Sequence, residues 1–161
     1  PIGIKIGPSI KIDDIPELCY RVNPNNESGK LILIIRLGSK IIDELLPDII
    51  TVIKRNKLNV ILMCDPMHGN TTTSKYGFKT RDFDTIKLEL QKFVHIVTKM
   101  NCFPGGVHFE LTGDNVTECI GGMQNITDID LENSYQTACD PRLNHEQSLE
   151  MAFLIAEYMN E

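Results

Sequence analysis

The sequence predicts an α/β domain with a parallel sheet or barrel, and three observations carry that prediction. Short runs of four or five apolar residues stop at Pro or Gly, as buried strands do. Between these runs, apolar residues recur at helical spacing, so strand and helix alternate. The C-terminal end of each run carries one or two ionisable residues, and in a βα-barrel that edge is where chemistry is done. With 161 residues the chain has room for one core and one domain. No linker divides it, and no repeat of 20–50 residues stands out.

Ile2-Gly3-Ile4-Lys5-Ile6 reads as the first strand, closed by Gly7-Pro8. Lys5 sits between isoleucines and needs an anionic partner, unless the strand lies at an edge and the amine reaches water. Asp13 to Val22 reads as a weak short helix, and Asn23 to Lys30 as a polar loop. Leu31-Ile32-Leu33-Ile34-Ile35 is the clearest buried strand. Arg36 follows it directly, before Gly38, at a place suited to a bidentate grip on phosphate or carboxylate. Ile41, Leu45, Ile49, Val52 and Ile53 then follow helical spacing, with Pro47 implying a kink or a late start.

Val60-Ile61-Leu62-Met63 leads to Cys64-Asp65-Pro66-Met67-His68-Gly69-Asn70, the stretch around which the chain is organised. Asp65 and His68 fall at a strand tip, and Thr71 to Lys75 reads as a polar loop. Asp82 to Met100 is an amphipathic helix with Ile86, Leu90, Phe93, Val94 and Val97 on one face and His95 on its surface. Pro104-Gly105-Gly106 introduces a strand over 107–111, which places His108 and Glu110 on one side. The glycine-rich segment from Thr112 to Gly122 suits function better than core. Ser134 to Cys139 is the last strand candidate and ends in Asp140-Pro141-Arg142. Asn144 and Gln147 form a capping box that opens a final helix with Leu149, Ala152, Phe153, Ala156 and Met159 on its face.

Composition narrows the function. A net charge of −6 argues against a general nucleic-acid binder, and no apolar run approaches the roughly 20 residues of a membrane helix. The five cysteines are odd in number and include no CxxC pair, which predicts free thiols in a reducing compartment. The N-x-S/T triplets at Asn26, Asn70, Asn115 and Asn125 are read as chance matches. The chain begins at Pro1, inside a strand pattern and without Met; an upstream segment is therefore expected.

Collected, the strand ends offer Lys5 and Arg36 from the first two strands, and His68, Glu110 and Asp140 from the last three. One imidazole with two carboxylates suits Mn²⁺, Fe²⁺ or Co²⁺ and leaves positions open for a substrate. A cation beside Lys and Arg suits a doubly anionic substrate such as a phosphorylated carboxylic acid. The competing interpretation at this level is a set of unrelated salt bridges on a sheet rim.

Several longer motifs then combine: Lys5-Ile-Gly-Pro8, Arg36-x-Gly38-x-Lys40, Cys64-Asp-Pro-Met-His-Gly-Asn-Thr71 and Gly77-Phe-Lys-Thr-Arg81. Pro104-Gly-Gly-Val-His108, Thr112-Gly-Asp-Asn-Val-Thr-Glu-Cys119, Cys139-Asp-Pro-Arg-Leu-Asn144 and Gln147-Ser-Leu-Glu150 follow in order. Together they closely resemble the class II (plant-type) 3-deoxy-D-arabino-heptulosonate 7-phosphate (DAHP) synthases, over nearly the whole chain.

The resemblance implies a (β/α)₈ TIM barrel that condenses phosphoenolpyruvate with erythrose 4-phosphate at the start of the shikimate pathway. By motif position it implies His68, Glu110 and Asp140 as metal ligands and Lys5 and Arg36 as phosphoenolpyruvate-binding residues, so that Lys5, Arg36 and His68 form the catalytic set. The metal it implies is Mn²⁺, with Co²⁺ or Fe²⁺ as alternatives. It also implies a homo-oligomer at full length, in the cytoplasm, or in a plastid if a transit peptide lies upstream. Residues 1–161 would then form the C-terminal part of one barrel domain, strands four to eight. The family's further metal-ligating cysteine, an arginine and a Glu-Arg pair would lie upstream, and the fragment alone would be inactive. Phe103 stands where the family usually has histidine, outside the ligand set.

Two other readings compete with an enzyme. One is a non-catalytic partner that retains the metal and anion rim. The other is a structural zinc protein using Cys64, His68 and Cys139, which lack the usual paired spacing.

Overall fold

The computed structural model describes residues 1–159 and divides into two compact units. The first comprises Pro1–Gly69 with Glu89–His108, and the second Asn70–Leu88 with Phe109 onward. In chain order the elements are β1 (Ile2–Ile6), α1 (Ile15–Val22), β2 (Leu31–Ile35), α2 (Ile42–Arg55), β3 (Ile61–Cys64), β4 (Thr71–Thr73), β5 (Lys79–Arg81), α3 (Phe83–Lys99), β6 (Pro104–Val107) and α4 (His145–Tyr158).

The first unit is built on a four-stranded sheet of order β1-β2-β3-β6, and every pairing in it is parallel. In-register pairing of Ile6 with Ile35, and of Ile35 with Cys64, levels the three C-terminal strand ends. Strand side chains alternate between the two faces of a sheet. On one face Ile6, Leu33, Ile35, Leu62 and Cys64 are buried, together with Ile42, Leu46, Ile49, Ile50 and Ile53 of α2. On the other face Ile32, Ile34, Ile61 and Met63 are only half-buried. β2 is apolar throughout, the composition of a strand covered on both sides, yet one of its sides is part open.

Pro47 lies inside α2, and the helix begins at Ile42, so the late start that Pro47 suggested does not occur. The amide that proline lacks would have reached back to the carbonyl of Asp43, an exposed residue in the first turn. His95 lies on the exposed surface of α3, as its spacing predicts.

The strand predicted over 107–111 is displaced, because β6 spans Pro104–Val107 and includes the glycines. At Gly105 a Cβ would lie 2.9 Å from the Leu62 carbonyl oxygen, closer than such atoms approach. Only glycine lets the two strands pair there, with a register shift between Leu62 and Cys64. The ladder extends by one bond, His108 N–H to the Cys64 carbonyl at 2.7 Å, and then stops. Residues 108–110 belong to no strand, so the strand expected to carry both His108 and Glu110 ends before either.

The second unit contains the β4–β5 antiparallel hairpin, with Thr71 opposite Arg81, where the sequence suggested only a polar loop. Residues 134–139 form no strand; the predicted last strand is replaced by a parallel bridge between Leu111 and Leu143. Side-chain oxygens capture the amides that a strand would have used. Ser134 N–H donates to Thr117 Oγ1, and Gln136 and Thr137 N–H donate to Glu118 Oε1.

α4 starts at the predicted capping box: the Asn144 side chain accepts from Gln147 N–H and the Gln147 side chain returns the bond. Its predicted face is nevertheless the exposed one, with Phe153 71% and Leu149 56% accessible. Gln147 Nε2 donates to the carbonyls of Cys119 and Gly121, and this rotates Gln147 and Met151 inward. Both sides of the helix carry apolar residues, so spacing alone could not choose between them. Among the described residues, no helix is long and apolar enough to cross a membrane.

Candidate metal and anion-binding site

In the first unit the strand ends converge. Lys5 is the penultimate residue of β1, Arg36 follows β2, and Asp65 follows β3. Lys5 Nζ forms an ion pair with the fully buried Asp65 carboxylate. Lys5 thus has both the anionic partner and the edge position that the sequence left open as alternatives. Asp65 Oδ1 also accepts Met67 N–H at 3.1 Å and His68 N–H at 3.2 Å, closing the turn that carries the imidazole.

His68 Nδ1 lies 2.9 Å from Asp65 Oδ1. A carboxylate only accepts, so Nδ1 bears the hydrogen, and in the neutral ring Nε2 holds the lone pair that a cation would take. Burial pushes the Asp65 carboxyl up, but the hydrogen bonds from Lys5 and His68 outweigh it and hold the group below its ordinary value. The His108 ring stands 6.2 Å from that of His68, centroid to centroid.

Arg36 N–H continues the ladder to the Ile6 carbonyl at 2.9 Å. A Cβ at Gly7 would lie 3.5 Å from Arg36 Nη1, so the glycine leaves room for the guanidinium. Arg36 Nε is buried and, among the described residues, has no hydrogen-bond partner.

The second unit holds the two carboxylates. Arg81 at the end of β5 is completely buried. Its Nη1 donates to Glu110 Oε2 at 2.5 Å and to the Pro141 carbonyl at 2.5 Å, and its Nε donates to Thr71 Oγ1 at 2.9 Å. Its Nη2 stands 3.9 Å from Asp140 Oδ1, and Lys79 pairs with the same carboxylate. The hydrogen bond that Lys79 donates to Asp140 raises the ammonium above its ordinary value.

Glu118, fully buried, fixes the loop that carries Asp140 through Gln136 and Thr137 N–H and through the backbone and guanidinium of Arg142. Burial pushes Glu118 up, and the bonds from Arg142 and Gln136 outweigh it, leaving the carboxyl below its ordinary value.

Asp65 was legible as a strand-tip residue, but its role in holding Lys5 and His68 was not. Arg81 and Glu118 lay in conspicuous motifs without any signal that they brace carboxylates or loops; burial alone reveals them. The zinc reading loses support at Cys64. That thiol is fully buried and pushed well above its ordinary value by burial and by the charges of Glu89 and Asp65, so it is a poor thiolate ligand.

A sequence profile described as the Class-II DAHP synthetase family matches residues 1–156. The chain belongs to that family. It is 50% identical over its whole length to the phospho-2-dehydro-3-deoxyheptonate aldolase AroG of Mycolicibacterium smegmatis, of which it covers 35%. It is 45% identical, over 98% of its length, to the phospho-2-dehydro-3-deoxyheptonate aldolase of Streptomyces coelicolor, again covering 35% of that protein. A Neurospora crassa protein of the same name is 44% identical over the whole chain, which covers 34% of it. The chain thus spans about a third of the length of the curated relatives it matches. Within this class-II DAHP synthetase chain, the predicted Lys5 and His68 meet at Asp65, and the predicted Glu110 and Asp140 meet at Arg81.

Proposed function

We propose that this chain is the C-terminal part of a (β/α)₈ barrel enzyme that condenses phosphoenolpyruvate with erythrose 4-phosphate and water to DAHP and inorganic phosphate. The barrel is supported by the consecutive strand order β1-β2-β3-β6 and by the half-buried apolar face of Ile32, Ile34, Ile61 and Met63, which further strands would cover. On this reading residues 1–161 belong to one barrel domain.

The observation that carries the site assignment is the preparation of the donors. His68 has its Nδ1 committed to Asp65, and Glu110 and Asp140 share a buried arginine that offsets their mutual repulsion. Each of the three residues offers one ligand atom, an imidazole nitrogen or a carboxylate oxygen, a set that suits Mn²⁺, Co²⁺ or Fe²⁺, of which the family resemblance implies Mn²⁺. His68, Glu110 and Asp140 would hold the ion. When bound, the ion supplies Lewis-acid polarisation of the aldehyde oxygen of erythrose 4-phosphate.

The protein's own contribution is positioning. Arg36 presents a guanidinium whose buried Nε bonds to no described residue, suited to a bidentate hold on the phosphate or carboxylate of phosphoenolpyruvate. An ammonium has three donors, so Lys5 can keep Asp65 and still donate to the same substrate. The two cations hold phosphoenolpyruvate so that its C3 meets the carbonyl carbon. Asp65 keeps the Lys5 amine and the His68 ring in place through this step. A homo-oligomer in the cytoplasm, or in a plastid if a transit peptide lies upstream, completes the reading.

Calorimetric titration with Mn²⁺ tests it, on the protein carrying this chain and on its His68→Ala variant. Micromolar or tighter binding that vanishes in the variant is expected. Undiminished binding in the variant would remove His68 from the ligand set.

A further inference from the structure

We infer that Glu89 is a positioning residue for Arg36: a buried carboxylate that fixes the backbone corner from which the arginine reaches its anion. The inference rests on the phosphoenolpyruvate reading of Arg36 given above.

Glu89 lies in the middle of α3 and is fully buried. Its Oε1 accepts Gly38 N–H at 2.8 Å and Leu37 N–H at 3.2 Å. These are the two amides that follow Arg36, where the sheet ladder ends and the chain turns at Gly38 with φ +89°. Leu37 and Gly38 are themselves buried, so without Glu89 both donors would lose this acceptor away from water, which is costly.

The corner is gripped again one helical turn later. Lys92 Nζ donates to the Ser39 carbonyl at 2.8 Å and to Asp43 Oδ2 at 2.5 Å. Residues three apart share a helix face, so Glu89 and Lys92 of α3 fasten residues 37 to 39 together. From the other side Gly69, next to His68, packs directly on the corner, and a Cβ there would lie 2.8 Å from the Gly38 Cα.

Arg36 depends on this corner for its aim, because its buried Nε bonds to no described residue. What Glu89 supplies that an apolar residue cannot is an acceptor for two adjacent amides, and hence a fixed direction for the arginine that precedes them.

The test uses the full-length protein carrying this chain and compares Glu89→Leu and Glu89→Asp with the parent. Phosphoenolpyruvate affinity is measured with Mn²⁺ saturating, alongside Mn²⁺ affinity and the KM for each substrate. Misplacing the guanidinium is expected to weaken phosphoenolpyruvate binding about tenfold or more in Glu89→Leu, and less in Glu89→Asp, whose carboxylate is withdrawn by one methylene. Mn²⁺ affinity and the KM for erythrose 4-phosphate should stay within about twofold, a split that general loosening of the fold would not produce.

Unchanged phosphoenolpyruvate binding in folded Glu89→Leu would overturn the inference, as would a uniform loss for all three ligands. If Glu89→Leu does not fold, Glu89→Asp decides by the same criterion. An Arg36→Met variant separates the two levels of the argument. If it binds phosphoenolpyruvate as the parent does, the reading of Arg36 fails and this inference with it. If it loses binding while both Glu89 variants keep it, the inference alone falls.

Discussion

Replacing Glu118 with glutamine should destabilise the protein far more than any surface change of equal size. The carboxylate is fully buried and accepts from Gln136 N at 3.2 Å, Thr137 N at 2.9 Å, and Arg142 N, Nε and Nη2 at 2.8, 2.9 and 2.6 Å. In Glu118→Gln the remaining oxygen can still serve the two or three donors on its side, but the new NH₂ group confronts the others. Breaking a buried charged pair costs about 3–5 kcal/mol. The Arg142 side chain is 30% accessible, so water recovers part of that and the expected loss is about 2–4 kcal/mol. For a domain of this size that lowers Tm by roughly 5–12 °C.

The pH dependence has a defined sign. The Glu118 carboxyl is held below its ordinary value, so its stabilisation is fully present above roughly pH 4.3 and is lost as pH falls through the lowered value. The Tm gap between parent and variant should therefore be widest at neutral pH and narrow on acidification. Thermal unfolding followed by circular dichroism at pH 7 and near pH 3 measures both, with the exposed Glu132→Gln change as control. A Glu118→Gln protein melting within about 1 °C of the parent at pH 7 would refute the bracing role. So would a gap that stays constant with pH.

Two further predictions follow from the same geometry. Asp65→Ala removes the acceptor that fixes the His68 tautomer, and Mn²⁺ affinity should drop about 10–100-fold by calorimetry while the fold survives; an unchanged Kd would mean that Asp65 does not orient the ring. Burial pushes the Cys119 thiol up to about 12, and Cys64 is also fully buried and raised, whereas Cys139 is exposed. A thiol-specific reagent at pH 8 should label Cys139 in the native protein and reach Cys64 and Cys119 only on unfolding, and early labelling of either by peptide mapping would contradict that packing.

Local signals determined much of this protein. The apolar runs at 2–6, 31–35 and 61–64 became strands because each is short, mostly aliphatic and stopped by Pro, Gly or a charge. The capping box at Asn144 set the start of α4, and the strand-end positions of Lys5, Arg36, Asp65 and His68 could be read from where the apolar runs end. The long motifs identified the family, since side chains that do chemistry leave fixed spacings.

Tertiary structure decided the rest, because several local signals were degenerate. Gly105 and Gly106 read as the lead-in to a strand over 107–111 yet lie within β6, since only the neighbouring strand shows that a Cβ at Gly105 has no room. The segment 134–139 has the composition of a strand, but the buried Glu118 bonds its amides first. α4 carries apolar residues on two sides, and the bonds of Gln147 to Cys119 and Gly121 chose which one turned inward. Glu89, Arg81 and Glu118 read as ordinary charged residues in sequence. Each became a brace only when folding removed it from water and left it a single set of partners, because a charge without solvent must be satisfied by whatever the fold brings to it.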